Sequence, residues 1–208
     1  YQQAATFLAA KHKRRVILGP TASGKSLIIY SIIRFLLNVI PGKILLLESK
    51  INLTKQILSD FEDYAEFQDF SPEEHCHRIS AGIEKNSDKR VYISTFQSIV
   101  KQDKDYFKQF DAIIIDEVHE AKSKSFISIL EQCVNAEYRI GLTGTLDGWE
   151  INELTIQGLI GKITKVASTH LLMERGDIAQ LKIKFYELQY PPEVKKEIKF
   201  STYEEEYN

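Results

Sequence analysis

Residues 19–26 have the composition and spacing of a phosphate-binding loop. They match G-x-x-x-x-G-K-[ST], with Gly19 and Gly24 as the two glycines and Lys25-Ser26 as the closing pair. Glycines allow the backbone to approach a phosphate closely, so that successive N–H groups can form a concave nest for an anion. Lys25 would reach the outer phosphates, and the Ser26 hydroxyl would bind Mg²⁺. The predicted nucleotide-binding residues in this loop are Thr21, Ala22, Ser23, Gly24, Lys25 and Ser26.

Asp116 and Glu117 form a second candidate site, directly after the apolar run 112–115. Beside a phosphate-binding loop, Asp116 is expected to hold Mg²⁺ through water. Glu117 is expected to orient and deprotonate the water that attacks the γ-phosphate. Two surface carboxylates at the end of a strand are the alternative interpretation, and the presence of residues 19–26 favours catalysis over it.

His119 lies two residues beyond the predicted base, on the side where the γ-phosphate would be. From there it could hydrogen-bond the hydroxyl of Thr143 or Thr145. A histidine in this position is therefore a candidate sensor of the phosphate, and the two threonines are candidates for coupling.

Alternating strands and helices must position these groups. Apolar runs predict strands at 16–18, 44–47, 91–94, 111–115 and 138–142. Helical periodicity or composition predicts helices at 2–12, 27–37, 51–66 and 123–134, with weaker candidates at 150–160 and 169–175. In helix 2–12 the expected apolar side is Ala4, Ala5, Phe7 and Leu8. The alternation indicates an α/β fold with a mostly parallel sheet and helices on both faces. Ligands of such sheets bind at the carboxyl ends of the strands, where the polar signatures above all fall.

Composition limits the possible partners. The 208 residues are 43% hydrophobic and carry a net charge of −2, which gives no general support for nucleic-acid binding but leaves room for a local groove. No stretch reaches the ~18 uninterrupted apolar residues of a membrane helix, so no membrane partner is expected. Cys76 and Cys133 have neither disulfide-framework nor zinc spacing, which fits a reducing cytoplasm. Because the sequence starts at Tyr1 and not at Met, we expect it to be part of a longer chain.

Two other features have competing interpretations. The basic run 11–15 could bind nucleic acid, but cations at the end of a helix are the favoured explanation. Segment 67–80 is expected to be a loop and then a short strand, and 81–89 a loop. A strand would place His75 and His77 on one face, although no further ligand lies at metal-binding spacing.

Together, these motifs resemble the first RecA-like motor domain of superfamily 2 DExH-box helicases. Residues 19–26 resemble motif I, Asp-Glu-Val-His at 116–119 the DExH box, and 141–146 motif III. Residues 172–179 resemble the element that closes this domain. The likeness covers most of the chain and is strongest to the UvsW-type phage recombination and repair helicases.

The resemblance implies ATP and Mg²⁺ as cofactors and further site residues. Tyr1-Gln2 with Ala5 resembles the element before motif I, whose Gln reads the adenine edge. Ser49 and Lys50 fall in motif Ia, and Thr95 and Gln97 in motif Ic, both of which contact nucleic acid in the family. The loop at Gly82 is expected to contribute to the same contact. The family usually has Pro-Thr at the start of motif Ia, where this chain has Glu48-Ser49. An acid there repels phosphate, so Ser49 is the expected donor.

The resemblance also implies a division of the chain and a partner. Residues 1–180 are expected to form the ATP-binding domain, and 181–208, including a strand at 181–190, to lead to a second RecA-like domain. That domain would supply arginine fingers, worth about 10³ to 10⁵ in rate, so residues 1–208 alone should bind nucleotide weakly and hydrolyse it poorly.

The expected activity is an ATP-dependent motor on nucleic acid, with DNA favoured over RNA. A duplex translocase of the restriction or remodelling type and a nucleotide-gated RNA- or DNA-sensing module are the alternatives.

Overall fold

A computed structural model of the chain describes residues 1–20, 22–66, 68–120, 124–145, 150–180 and 184–186. The strands are β1 Arg14–Leu18, β2 Lys43–Glu48, β3 Cys76–Arg78, β4 Val91–Thr95, β5 Phe110–Ile115, β6 Tyr138–Thr143 and β7 Ile163–Lys165. The helices are α1 Gln2–His12, α2 Lys25–Val39, α3 Ile51–Ala65, α4 Pro72–His75, α5 Phe96–Ile99, α6 Lys104–Phe107, α7 Lys124–Gln132, α8 Glu150–Leu159 and α9 Thr169–Glu174, with a 3-10 turn at Val118–Glu120.

The strands form one seven-stranded sheet in the order β3-β4-β2-β5-β6-β1-β7. Every pair of neighbours is parallel. Parallel strands need crossover connections, and helices provide most of them here. The predicted α/β fold is therefore confirmed, with a sheet that is wholly parallel within the described residues.

The sheet is buried on both faces because its central strands are apolar at consecutive positions. In β1, Ile17 faces a core formed with α1, α2 and α3, whereas the adjacent Val16 faces a second core with α5, α6, α7 and α8. Residues 44–47 of β2 and 112–115 of β5 are all fully buried. Consecutive apolar residues place apolar side chains on both faces of the sheet, so helices must cover both faces, as predicted.

The buried side of α1 differs from the prediction. Ala5 and Ala9 are buried against the sheet, whereas Ala4 is exposed and Phe7 is 63% exposed. Ala5 and Ala9 belong to the core that α1 shares with α2. The basic run after α1 lies at the amino-terminal end of β1, where Lys13 forms an ion pair with Glu137. This placement, opposite the carboxyl edge, supports the favoured explanation of that run.

Segment 67–80 contains the expected short strand, β3, but also the helix α4, which was not predicted. His75 ends α4 and His77 lies in β3, so the two histidines do not share a strand face. The ring of His75 hydrogen-bonds the Ser71 carbonyl, and His77 hydrogen-bonds the Glu84 carbonyl. Backbone contacts thus account for both rings.

The short elements β7 and α6 were not predicted, because each has too few residues for a periodic pattern. The expected strand at 181–190 lies mostly outside the described residues, and 184–186 have no regular secondary structure. Tyr1–Ile178 form one compact unit, and Ala179–Asn208 are assigned to a second. The domain boundary at residue 180 stays a prediction. No helix within the described ranges is long and apolar enough to cross a membrane.

Gly161 provides a test of how β7 joins the sheet. Its φ of 144° is unfavourable for residues with a Cβ, and an added Cβ would lie 2.5 Å from the Arg14 carbonyl oxygen. We expect Gly161→Ala to lower the free energy of unfolding by about 1–3 kcal/mol in a denaturant titration.

The matched control is Gly158→Ala, on the exposed side of α8, where an added Cβ meets nothing within 4 Å. Because alanine favours helix over glycine, this change should stabilise the protein by roughly 0.5–1 kcal/mol. Equal effects of the two substitutions would contradict the role given to Gly161.

Candidate active site

The loop between β1 and α2 has the backbone of a phosphate-binding nest. Gly24 is left-handed at φ 69°, and α2 begins at the next residue, Lys25. Ala22 is also left-handed, at φ 62°. Ser23 is buried, and its Oγ has no hydrogen-bond partner among the described residues. A hydroxyl left without a partner at this turn fits a loop shaped to receive an acceptor. Thr21 lies outside the described residues.

Gln2 joins α1 to this loop. Its Nε2 donates to the Ser23 carbonyl oxygen at 3.2 Å. The same nitrogen lies 2.3 Å from the point where a Cβ on Gly24 would be, so the Gln2 side chain would have to move if this residue had a side chain. The left-handed φ of 69° is the stronger reason for a glycine here. Gln2 is therefore beside the phosphate-binding loop, and its contact with adenine stays a prediction.

Lys25 and Glu117 form an ion pair across the site. The distance from Lys25 Nζ to Glu117 Oε1 is 2.9 Å, and the two side chains are only 12% and 25% exposed. Glu117 is the second residue after β5 and takes the unusual φ of 49°, which fits a functional position. Burial alone would raise the pKa of Glu117. The hydrogen bond and charge of Lys25, the Gly144 N–H and the charge of His119 outweigh burial and lower that pKa below its ordinary value. Glu117 is thus kept ionised, as a general base must be.

His119 and Thr143 are in direct contact. The distance from His119 Nδ1 to Thr143 Oγ1 is 2.7 Å, and Nδ1 also lies 3.3 Å from Glu117 Oε2. Of the two threonines considered from the sequence, the structure selects Thr143 for this bond. The Thr145 side chain is exposed, and its carbonyl accepts a 2.7 Å hydrogen bond from Thr143 Oγ1.

A backbone bond that the sequence did not reveal joins this cluster to the phosphate-binding loop. The Gly19 N–H donates to the Thr143 carbonyl at 3.0 Å. Glu117, His119 and Thr143 are therefore connected to residue 19 through a short chain of contacts.

The predicted metal-binding residues line a cavity of about 220 Å³. Its walls include Lys25, Ser26 and Asp116. The Glu117 N–H donates to Asp116 Oδ1 at 2.9 Å. Burial and the Glu117 charge raise the pKa of Asp116 to about 6. A hydroxyl and a carboxylate are hard oxygen donors of the kind Mg²⁺ prefers.

The described residues contain no group of three or more His, Cys, Asp or Glu that could hold a metal ion by themselves. Mg²⁺ commonly binds through one or two carboxylates together with substrate phosphates and water, so the residues present fit this ion.

Tyr64 of α3 also contacts the phosphate-binding loop, which the helical pattern of 51–66 does not reveal. Its Oη lies 2.8 Å from Ser26 Oγ. The helical spacing of α3 placed Tyr64 on the apolar side, and nothing in that pattern indicated where its hydroxyl would reach. Ser26 therefore already has a hydrogen-bond partner, which a metal ion would have to displace or share.

Glu48 is the second residue whose place was not foreseen. It ends β2, is 1% exposed and lines the same cavity as Ser26 and Asp116. Neither carboxylate oxygen has a hydrogen-bond partner among the described residues. Burial, then the charges of Asp116, Glu117 and Asp60, raise the pKa of Glu48 to about 9. Glu48, which departs from the family pattern, thus faces the nucleotide site.

The candidate nucleic-acid residues lie after neighbouring strands at the carboxyl edge. Ser49 and Lys50 follow β2, and Thr95 ends β4, with Glu48 and Thr95 in register. Lys50 and Gln97 are exposed. Thr95 is buried, and its hydroxyl bonds Ser98 Oγ at 2.9 Å.

Two of these residues offer different kinds of contact. Gly82 lies in an exposed loop after β3, and Ser49 has a buried hydroxyl without a hydrogen-bond partner in the described part of the chain. The structure therefore leaves Lys50 and Gln97 as the accessible side chains, and the nucleic-acid role of the whole set stays a prediction.

Comparison with known proteins gives consistent matches. The family described as the res subunit of type III restriction enzymes matches residues 1–148. The chain is 36% identical over 210 residues to the ATP-dependent DNA helicase uvsW of Enterobacteria phage T4, covering 99% of this chain and 41% of that protein. It is 29% identical over 184 residues to the DNA 3'-5' translocase XPB2 of Sulfurisphaera tokodaii, covering 88% and 38%.

Solved structures agree with these matches. The crystal structure of the UvsW helicase from bacteriophage T4 has a TM-score of 0.71 at 35% identity, covering 79% of this chain and 58% of that one. The Hef helicase domain of Pyrococcus furiosus has a TM-score of 0.71 at 20% identity, covering 95% and 43%, and supports the fold alone. The chain spans about two fifths of the length of the curated relatives, 41% and 38%.

The raised pKa of Glu48 predicts how stability changes with pH. Folding raises this pKa from 4.5 to about 9, so between these values the folded state holds a proton that the unfolded state has released. Stability contributed by Glu48 is complete below pH 4.5 and is lost as the pH rises towards 9. We expect Glu48→Gln to remove a slope of up to about 1.4 kcal/mol per pH unit.

Denaturant titrations from pH 5 to 9 measure that slope. Glu62→Gln, on the exposed surface of α3, is the control and should keep the wild-type slope. A Glu48→Gln protein with an unchanged slope would show that Glu48 ionises normally.

Proposed function

The chain belongs to the family described as the res subunit of type III restriction enzymes and is a first motor domain of superfamily 2 helicases, and on this premise we propose that it drives ATP-dependent movement on DNA. The sheet and its neighbours give it the RecA-like fold expected from the sequence. One observation carries the proposal. The predicted base Glu117 pairs with Lys25 of the phosphate-binding loop and also touches the His119–Thr143 pair.

The ion pair suggests how ATP starts the reaction. Without nucleotide, Lys25 neutralises Glu117. The triphosphate is a stronger anionic partner for Lys25, so its binding would release the Glu117 carboxylate to accept a proton from the attacking water. Mg²⁺, when bound by Ser26 and Asp116, would neutralise charge on the phosphates. Binding and base activation are thereby linked through one lysine.

The same contacts suggest a path from the reaction to movement. His119 touches both Glu117 and Thr143, and the Thr143 carbonyl accepts from the Gly19 N–H. A shift of Glu117 on ATP binding would change the partners of His119 and Thr143. Thr145, exposed beside them, would pass that change on to a second RecA-like domain of the complete protein.

DNA is the nucleic acid along which we propose that the motor moves. Two relatives carry DNA in their names, one as a helicase and one as a translocase. Contacts from Ser49, Lys50, Gly82, Thr95 and Gln97 to phosphates would carry little sequence information, which suits a motor that acts on many sites. The resemblance to UvsW-type helicases favours recombination and repair intermediates as substrates.

Translocation on duplex DNA without strand separation is the second candidate. The matching family is described as a restriction enzyme subunit, and one relative is named a translocase; both favour this candidate. A strand-displacement assay on the complete protein separates the two. Released strand supports a helicase, whereas DNA-stimulated ATP hydrolysis without released strand supports a translocase.

Substitution of the two ion-paired residues tests the ATP site. In the complete protein we expect Lys25→Ala to abolish ATP binding, because it removes the cation that meets the phosphates. Glu117→Gln should retain binding and lower DNA-stimulated hydrolysis by about 10²- to 10⁴-fold, the usual contribution of a general base. Fluorescent-nucleotide binding and phosphate release measure the two effects.

Lys101→Ala and Glu62→Gln, both on the exposed surface, are charge-matched controls and should behave as wild type. Normal hydrolysis by Glu117→Gln would remove Glu117 from the role of base.

The DNA contact can be tested at Lys50. We expect Lys50→Ala to weaken DNA binding and to reduce the slope of log affinity against log salt by about 1, since one phosphate contact is lost. Fluorescence anisotropy at several salt concentrations measures both quantities. Lys55→Ala, also exposed but one turn into α3, is the control. Identical salt slopes for Lys50→Ala and wild type would place the DNA elsewhere.

A further inference from the structure

Glu48 has an environment that its role in the fold does not explain. A carboxylate without hydrogen bonds or a cation is costly to bury, so proteins usually give such groups a partner. Glu48 is 1% exposed, and no partner is found for either oxygen in the described residues. The apolar residues before it already fill the β2 positions of both cores. Its side chain instead lines the cavity that contains Ser26 and Asp116.

The backbone fixes Glu48 beside the metal-binding carboxylate. Leu47 pairs with Ile115 across β2 and β5, and the Asp116 N–H donates to the Leu47 carbonyl at 3.0 Å. Glu48 and Asp116 therefore each come directly after a member of the Leu47–Ile115 pair, side by side at the edge of the sheet. The strand pairing alone is enough to place both side chains at the same cavity.

We propose that Glu48 is a positioning residue of the nucleotide site, whose carboxylate accepts hydrogen bonds from water molecules bound to the Mg²⁺ that Ser26 and Asp116 hold. This inference rests on the proposed function, because it needs the site to take Mg²⁺ with a nucleotide. Mg²⁺ keeps several of its waters in such sites, and those waters need acceptors. Among the described residues no donor occupies either oxygen of Glu48. A Mg²⁺ ion nearby would favour the ionised carboxylate, which leaves both oxygens as acceptors.

Two other roles fit the structure less well. Contact with DNA is disfavoured because Glu48 is buried. The role of base belongs to Glu117, which is the carboxylate that contacts Lys25 and His119 in the described part of the site.

Nucleotide binding measured against Mg²⁺ concentration tests this role without using hydrolysis. The complete protein is titrated with a fluorescent ATP analogue that is not hydrolysed, at Mg²⁺ concentrations from zero upward. We expect Glu48→Gln to raise the Mg²⁺ concentration at half-maximal binding by about 10- to 100-fold, as loss of an outer-shell partner does. Without Mg²⁺, Glu48→Gln should bind the analogue about as tightly as wild type, because the role of Glu48 acts through the ion.

The matched controls are Asp60→Asn and Glu62→Gln. Asp60 lines the same cavity from α3 but is half-buried, and Glu62 is exposed on the same helix. Both controls should keep the wild-type Mg²⁺ midpoint. A shift in Asp60→Asn equal to that in Glu48→Gln would show a general effect of charge and overturn the specific role of Glu48.

The remaining outcomes also decide between the hypotheses. An unchanged Mg²⁺ midpoint in Glu48→Gln, with Mg²⁺-dependent binding by wild type, overturns the role of Glu48 alone. A wild-type protein that binds no nucleotide at any Mg²⁺ concentration overturns the proposed function, and the role of Glu48 with it. Circular dichroism checks folding, and a Glu48→Gln protein that does not fold would contradict a carboxylate without structural partners.

Discussion

The parallel pairing of β1, β6 and β5 is the constraint on which the site depends. It brings the carboxyl ends of three separate strands to one edge, where the phosphate-binding loop, Thr143 and the Asp116-Glu117 pair follow them. The Gly19–Thr143 backbone bond extends the β1–β6 ladder into the site itself. Because these strands are buried on both faces, the register of each strand matters. A one-residue slip would move every side chain to the opposite face of the sheet and disrupt the packing of both cores. The core therefore fixes the spacing of groups that are far apart in sequence.

Charge is the second constraint, and it acts against the first. The sheet edge collects Glu48, Asp116 and Glu117 in a half-enclosed space, with Lys25 as the cation that pairs with one of them. The opposite directions of the pKa changes follow from this distribution. Glu117, which has Lys25, is kept ionised, whereas burial and neighbouring acids favour the protonated forms of Glu48 and Asp116. A triphosphate adds further negative charge, so a divalent cation is the natural complement of this arrangement.

Much of this architecture could be predicted from the sequence, because apolar runs and motif spacing are local signals. The strands ending at Leu18, Ile115 and Thr143 were expected within a residue or two, and so were the helices that follow the first two. Two kinds of feature were out of reach. β7 has three residues and depends on pairing with β1, and the Tyr64–Ser26 bond joins residues whose contact only the packing of α3 on α2 creates. Tertiary contacts of this kind leave no periodic pattern.

Glu48 shows where local reasoning fails for an informative reason. From the sequence, Glu48 was a departure from a nucleic-acid motif, where an acid would repel phosphate. The α3 helix, however, returns over this strand end through Leu53 and Ile57 and encloses the cavity. Burial of the Glu48 carboxyl group without a hydrogen-bond partner opposes folding. The same lack of a partner leaves both of its oxygens free for a ligand. Residues that conflict with the fold in this way are most often found at functional sites, and here the conflict lies beside Ser26 and Asp116.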